Sequence, residues 1–275
     1  VLYSEPLSKH TTFKIGGPVD VWAEPRDLDD MQALLEISKA EGLQVFLIGE
    51  GSNLLVSDKG LNAAAIHLGD LFQAGGSLQR FILNTIDAGY GGLEFMAGIP
   101  GTVGGAIRMN AGAGLKGPWI SDFIEKIKVC DFSGGVRHIE KKELGFGYRQ
   151  SGLKNYIVLE AEFNLEKTKD KRAVREEYKK FLAKKKEKQE LSIASAGCVF
   201  KNPGDPQLSA AQLIEGCGLK GKAIGGAMIS FKHANFIVNT GKATFENVVG
   251  LVEVIKDEVF KKYNITLETE IEILK

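Results

Sequence analysis

Apolar residues recur along the chain with two periods, and each change of period marks an element. Leu28, Met31, Leu34, Leu35 and Ser38 share a helical face, and Glu41-Gly42 closes it with glycine at the usual position past a helix end. Val45 to Ile48 reads as a short buried strand running into Gly49-Glu50-Gly51-Ser52-Asn53, after which Leu54-Leu55-Val56 resumes the strand pattern. A dinucleotide fingerprint of the Rossmann kind needs a helix after its glycine loop, so this strand, loop, strand order excludes it. Ser77 to Gly89 predicts a second helix, with Leu78, Phe81, Ile82, Thr85 and Ile86 on one face and Ser77 as N-cap.

Further along, Ile124 to Phe132 alternates, Ser133-Gly134-Gly135 forms a turn, and Val136 to Ile139 pairs back as a hairpin; Tyr156 to Leu165 is another strand. In 167–190, Val174, Tyr178, Phe181 and Leu182 lie on one side of a helix whose other faces are charged. Ala210 to Cys217 and Thr244 to Tyr263 predict helices, and Phe236 to Val238 and Leu267 to Leu274 predict strands. In the last strand Leu267, Thr269, Ile271 and Ile273 face one way and Glu268, Glu270 and Glu272 the other. The expected fold class is α+β with antiparallel pairs in its middle third.

Composition sharpens this picture in one respect. Glycine supplies 33 of 275 residues, and ten fall between Gly89 and Gly117, whereas proline supplies only seven. That excludes a disordered Pro/Gly linker and points to a local need for bare backbone. Lys plus Arg equals Asp plus Glu at 35 each, so no global positive field favours a nucleic-acid partner. The segment 167–190 is the exception, with eleven basic and five acidic residues; a solvated helix is the favoured reading, although its last lysines could border an anionic site. A domain boundary is expected near 186–190, where the composition changes.

Three cysteines without CxxC spacing, four scattered histidines and no apolar run approaching 18 residues predict a cytoplasmic protein with no metal site and no membrane segment. Cys130 and Cys217 are read as small buried hydrophobes. Any redox chemistry would need an organic cofactor.

Two glycine-rich stretches are candidates to hold one. In Ile48-Gly49-Glu50-Gly51-Ser52-Asn53-Leu54 small residues allow backbone N–H groups to converge on an anion, though a tight turn between strands explains it equally well. The stretch Gly91 to Gly114 is too glycine-rich to pack a regular core. Ordering it is expected to need a bound cofactor or an enclosing domain.

The second stretch, GLEFMAGIPGTVGGAIRMNAGA, with TTFKIGGP and LIGEGSNLLVSD before it, resembles the UDP-N-acetylenolpyruvoylglucosamine reductases. The resemblance continues through GFGYRQS (145–151), SAGCVFKNP (195–203), AQLIE with GLKG, HANFIVN (233–239) and LETEI (267–271). It implies noncovalent FAD held by a two-part module of the vanillyl-alcohol-oxidase type, residues 1–66 and 67–187, and a substrate-binding domain at 188–275. It also implies NADPH as hydride source, UDP-N-acetylglucosamine enolpyruvate as substrate, and a monomer. FAD contacts fall by this resemblance on residues 48–54 named above and on Ala97, Gly98, Ile99, Pro100, Gly101, Gly104, Gly105 and Ala106.

The same resemblance assigns catalytic roles to Arg149, Cys198 and Glu270. Arg149 would face the substrate carboxylate, and Glu270, protonated, would share a hydrogen bond with it, which leads us to expect a pKa raised by burial. Cys198 stands where the family usually has serine; a thiol is the stronger acid and can protonate C2. Tyr148, Lys188, Asn202, His233 and Asn235 are the expected substrate contacts, with Glu190 standing where proline usually follows Lys188-Gln189. The segment between Arg149 and Cys198 has the length of the family's shorter subtype, and the join at 69–76 is short. Another flavin oxidoreductase of this fold, or a noncatalytic binder of nucleotide sugars, is the alternative; no histidine lies between His67 and His138, against the covalent flavin enzymes.

Overall fold

The computed structural model describes residues 1–204 and 208–275. Six α-helices lie among the described residues: α1 (Leu28–Ala40), α2 (Leu78–Ala88), α3 (Val103–Arg108), α4 (Lys171–Lys188), α5 (Ala210–Gly216) and α6 (Phe245–Tyr263). Their ends follow local chemistry. Asp27 caps α1 by accepting the Asp30 N–H, and Gly42 leaves it at a φ of +68°. Thr244 and Asn247 form a reciprocal capping box on α6. Ser77 has the extended backbone of an N-cap on α2, but its side chain makes no capping hydrogen bond.

The chain divides into two compact units. The first comprises Val1–Tyr3, Val21–Gly49 and Asn62–Lys185; the second comprises Ser4–Asp20, Glu50–Leu61 and Lys186–Lys275. Ser4–Asp20 and Glu50–Leu61, expected within the first FAD subdomain, thus group with the C-terminal part. The reason is pairing: strand Leu54–Val56 runs parallel to Glu272–Leu274, and the Phe245 N–H donates to Asp58 Oδ2 at 2.7 Å.

In the first unit, Gln44–Leu47 pairs parallel with Leu61–Ile66 at the end of a four-stranded sheet. The predicted hairpin forms a second sheet in which Ile124–Asp131 lies between Val136–Glu140 and Tyr156–Phe163, all antiparallel. One side carries Ile127, Val129 and Val158 into a core shared with α2 and α3; the other carries Cys130, Ile157 and Leu159 against Met31 and Leu35 of α1. Cys130 is fully buried, and burial pushes its thiol above the usual range. The short join at 69–76 forms two 3-10 turns, and Gln73 Oε1 accepts the Ala161 N–H at 2.7 Å. Of the stripe expected on α4, Tyr178 is buried and Val174 and Leu182 partly so, but Phe181 is exposed.

The second unit carries an antiparallel sheet of order Ser195–Cys198, Phe236–Asn239, Ala227–Ile229, Ala223–Ile224, packed on α5 and α6. The strand expected over Leu267–Leu274 is interrupted. Thr269 makes an isolated bridge to Phe200, and regular pairing begins only at Glu272. Among the described residues no helix is long and apolar enough to cross a membrane, and no group of three or more His, Cys, Asp or Glu could hold a metal ion.

His233 lies edge-on to the Phe236 ring, with centroids 4.8 Å apart, and its buried Nδ1 has no hydrogen-bond partner. Burial first, and the positive charge of Lys220 second, lower its pKa below the ordinary 6.5. In the unfolded chain the ring titrates at its ordinary value, so between the two pKa values only the unfolded state binds the proton. This contribution to stability is present above about pH 6.5 and is lost as pH falls. Replacing His233 by Gln should therefore narrow the difference in melting temperature between pH 7.5 and pH 5.5, measured by thermal denaturation; an unchanged difference would contradict this.

Candidate active site

Buried side chains and hydrogen bonds from neighbouring elements hold the glycine-rich segment 91–106 of the first unit, in keeping with the enclosing domain that was one of the two expected sources of order. Leu93, Met96 and Val103 are buried and anchor it. Between these anchors three side chains tie down its peptide groups. Gln79, on α2, donates from Nε2 to Met96 O at 3.1 Å and Ile99 O at 2.8 Å, and its Oε1 accepts the Gly98 N–H at 2.8 Å and the Tyr178 hydroxyl at 2.9 Å. Both carboxylate oxygens of the buried Glu94 accept the Gly92 N–H, at 3.0 and 2.9 Å. Thr102 caps α3 by accepting the Gly105 N–H at 3.1 Å.

Glycine is required here for two reasons. Gly98 and Gly101 have φ of +72° and +119°, open to glycine at little cost. At Gly49 the backbone approaches Thr102 so closely that a Cβ would sit 2.8 Å from its Oγ1. The same closeness brings α4 to the loop, since a Cβ at Gly98 would lie 2.9 Å from Leu182 Cδ1 and 3.2 Å from Lys185 Cδ. Lys185 of α4 thus packs on the glycine loop. Ile48 is buried, with its carbonyl 3.0 Å from His67 Nδ1 and His67 stacked on Trp22. A rigid loop with bare backbone at Gly101 and Gly105, beside one basic side chain, fits the close approach of a flat, anionic cofactor such as FAD.

Also in this unit, Tyr148 and Arg149 form the tip of a tight turn. Gly147 and Gln150 exchange backbone hydrogen bonds of 3.1 and 3.2 Å, and the guanidinium carbon lies 5.4 Å from the Tyr148 ring centroid. Arg149 has a φ of +54°.

In the second unit Cys198 and Glu270 are brought onto neighbouring segments. The Glu270 N–H donates to Val199 O at 2.7 Å, and the Lys201 N–H donates to Glu268 O at 2.9 Å, flanking the Phe200–Thr269 bridge. Asn53 holds the far side of Glu270, donating from Nδ2 to Glu270 O at 3.0 Å and accepting the Glu272 N–H on its backbone carbonyl at 2.9 Å. Cys198 follows Gly197, whose φ of +74° lies within a register shift between Ser195 and Cys198. Such a bulge re-aims the next side chain, and sheets use it beside reactive groups. In the adjacent loop Gly51, at φ +59°, is held by the Thr12 N–H donating to its carbonyl at 3.3 Å; a Cβ there would lie 2.2 Å from His10 O.

The remaining expected contacts divide. Asn235, 3 % exposed, accepts the Phe200 N–H at 2.9 Å and donates to Phe200 O at 2.8 Å, so both ends of its carboxamide fasten the segment after Cys198. Asn202 Oδ1 accepts the Ala210 N–H at the start of α5. His233 sits near Lys220, and Lys188 lies exposed on the last turn of α4. Sequence reasoning missed Gln79 and Lys185, each an ordinary polar residue at a helical position.

Replacing Gln79 by Leu, which keeps its bulk, should unfasten Gly98 and Ile99 and lower flavin retention by about 30- to 140-fold, since two or three hydrogen bonds of ~1 kcal/mol each order the loop. Dialysis followed by flavin absorbance measures this; full retention would contradict it.

Residues 19–140 match the family model described as FAD binding domain, and residues 188–274 match UDP-N-acetylenolpyruvoylglucosamine reductase, C-terminal domain. The UDP-N-acetylenolpyruvoylglucosamine reductase of Clostridium botulinum is 40% identical over 100% of this chain and 92% of its own. That of Caldanaerobacter subterraneus is 40% identical over 98% of this chain and 92% of its own. The crystal structure of the Thermus caldophilus enzyme matches with a TM-score of 0.86 at 34% identity, covering 100% of this chain and 99% of that one. Identity and coverage of this extent, with both family models matched in order, show that the chain belongs to the UDP-N-acetylenolpyruvoylglucosamine reductase family.

Proposed function

We propose that this chain reduces the enolpyruvyl ether of UDP-N-acetylglucosamine to the lactyl ether of UDP-N-acetylmuramate, with noncovalent FAD and with NADPH as hydride source. The observation that carries the reading is the ladder that sets Glu270 against the residue after Cys198. Bound FAD supplies the hydride that adds to C3 of the enol ether. Negative charge then gathers at C2 and spreads onto the neighbouring carboxylate, and the protein must stabilise it and deliver one proton.

Cys198 is assigned the proton. Its S–H gives the proton to C2, and the thiolate is reprotonated from solvent to complete the cycle. Glu270, as a neutral acid, donates a hydrogen bond to the substrate carboxylate, and the Arg149 guanidinium balances its charge. Gly98, Gly101 and the loop around them would hold the FAD, with Lys185 supplying positive charge for its diphosphate. Tyr148, Lys188, Asn202 and His233 are assigned to the nucleotide sugar. Asn235 serves this site at one remove, by fixing the Phe200 backbone beside Cys198.

The two half-reactions test the reading. The purified protein should be yellow, bleach with NADPH and recover its colour anaerobically only with the enolpyruvyl nucleotide. Replacing Cys198 by Ala should slow that recovery about 10²- to 10⁴-fold, the usual worth of a general acid, while leaving bleaching within about twofold. Stopped-flow absorbance separates the two steps, and Cys198→Ser should restore part of the loss. Equal slowing of both would remove Cys198 from its assigned role, and a colourless protein that takes up no flavin would overturn the function.

A further inference from the structure

We propose that Asn110 is a positioning residue for this reaction, its buried carboxamide fixing the strained turn that presents Arg149. The inference rests on the role given to Arg149 above. It begins at the end of α3, where the Asn110 N–H donates to Ile107 O at 3.1 Å and the Ala111 N–H to Ala106 O at 2.8 Å. This is the Schellman arrangement, and its left-handed residue, here Asn110 at a φ of +44°, is most often glycine. The chain follows that preference at α2, which ends in Gly89 at +89°. In the most glycine-rich part of the sequence, the position where backbone alone would favour glycine holds an asparagine.

The side chain explains the choice. Asn110 is 0 % exposed, and both ends of its carboxamide are engaged: Nδ2 donates to Gly147 O at 2.9 Å, and Oδ1 accepts the Ser121 N–H at 3.2 Å. By contrast Asn264, which ends α6 with a similar backbone, is exposed. Gly147 opens the turn whose third residue is Arg149, and a φ of +54° is unfavourable for a long side chain. Such strain persists only where the surroundings over-determine it. Here Asn110 holds the entry of the turn. On the exit side Ser151 Oγ donates to Arg108 O at 2.7 Å, and Arg108 Nη1 donates to Leu153 O at 3.2 Å. The end of α3 thus grips the turn from both sides, and loss of the Asn110 donor would let Gly147 relax and Arg149 leave the left-handed region.

Asn110→Asp tests this, because it keeps the size, the tolerance of positive φ and the acceptor for Ser121, but has no donor for Gly147 O. Reoxidation of reduced flavin by the enolpyruvyl nucleotide should slow about 10- to 100-fold, the scale of a misplaced positioning group, with flavin content and NADPH bleaching within about twofold. In an Arg149→Ala background the same substitution should change reoxidation by less than about twofold, since its effect runs through Arg149. Ser151→Ala, on the exit side, should show the same dependence on Arg149 at smaller size, which keeps the test available if the Asp variant does not fold. An undiminished effect of Asn110→Asp without Arg149, equal slowing of both half-reactions, or wild-type reoxidation would each overturn the proposal. If Arg149→Ala by itself leaves reoxidation at the wild-type rate, the role of Arg149 fails, and the proposal falls with it.

Discussion

A peptide group taken out of water must find another hydrogen-bond partner, and leaving it unpaired costs about 1–3 kcal/mol. Glycine-rich loops feel this constraint most, because they have neither a regular ladder nor side chains of their own to satisfy it. In this protein the partner is repeatedly a carboxamide sent in from elsewhere in the chain. Gln79 reaches from α2 to the peptides of 96–99, and Asn110 reaches from the end of α3 to Gly147. Asn235 clasps both polar groups of Phe200, Asn53 takes Glu270 O, and Asn239 donates to Phe13 O at 3.0 Å. A carboxamide offers donor and acceptor together without a charge to desolvate, which suits it to pinning peptide groups inside a protein.

The consequence for chemistry is preorganisation. Groups aimed in advance at developing charge need no reorganisation when the reaction occurs, but only if the backbone carrying them is fixed. Cys198 sits on a bulge whose next two residues are held, Val199 by Glu270 and Phe200 by Asn235. The other two thiols have a different environment. Burial raises the pKa of both Cys130 and Cys217, and each has its sulfur close to a main-chain carbonyl, of Asp131 and Glu258 respectively. Cys130 fills core space and Cys217, partly buried, packs against the core, whereas Cys198 follows the bulge within the SAGCVFKNP segment.

Much of the fold was legible in the residues. The helix ending at Gly42, the hairpin around Ser133-Gly134-Gly135 and the helix from Thr244 to Tyr263 all depend on neighbours a few positions away, so their signals are local. The strand expected over Leu267–Leu274 shows where local signals stop. Alternation placed Leu267 and Ile271 correctly on the buried side, yet only Glu272–Leu274 pairs regularly, because pairing depends on which strand lies alongside. Of the site, the motif residues could be named. The roles of Gln79 and of Asn110, the latter a motif residue, could not, because their partners lie 11 to 99 residues away.

The sequence by itself determined where backbone must be bare, which faces are apolar, and which residue types stand in each family motif, since each is set by one residue or by a short period. Tertiary structure decided the rest. It joined residues 4–20 and 50–61 to the C-terminal part, packed Lys185 on the glycine loop, and gave Asn235 to Phe200. These are matters of which distant segments meet, and a hydrogen bond is specified by both of its partners.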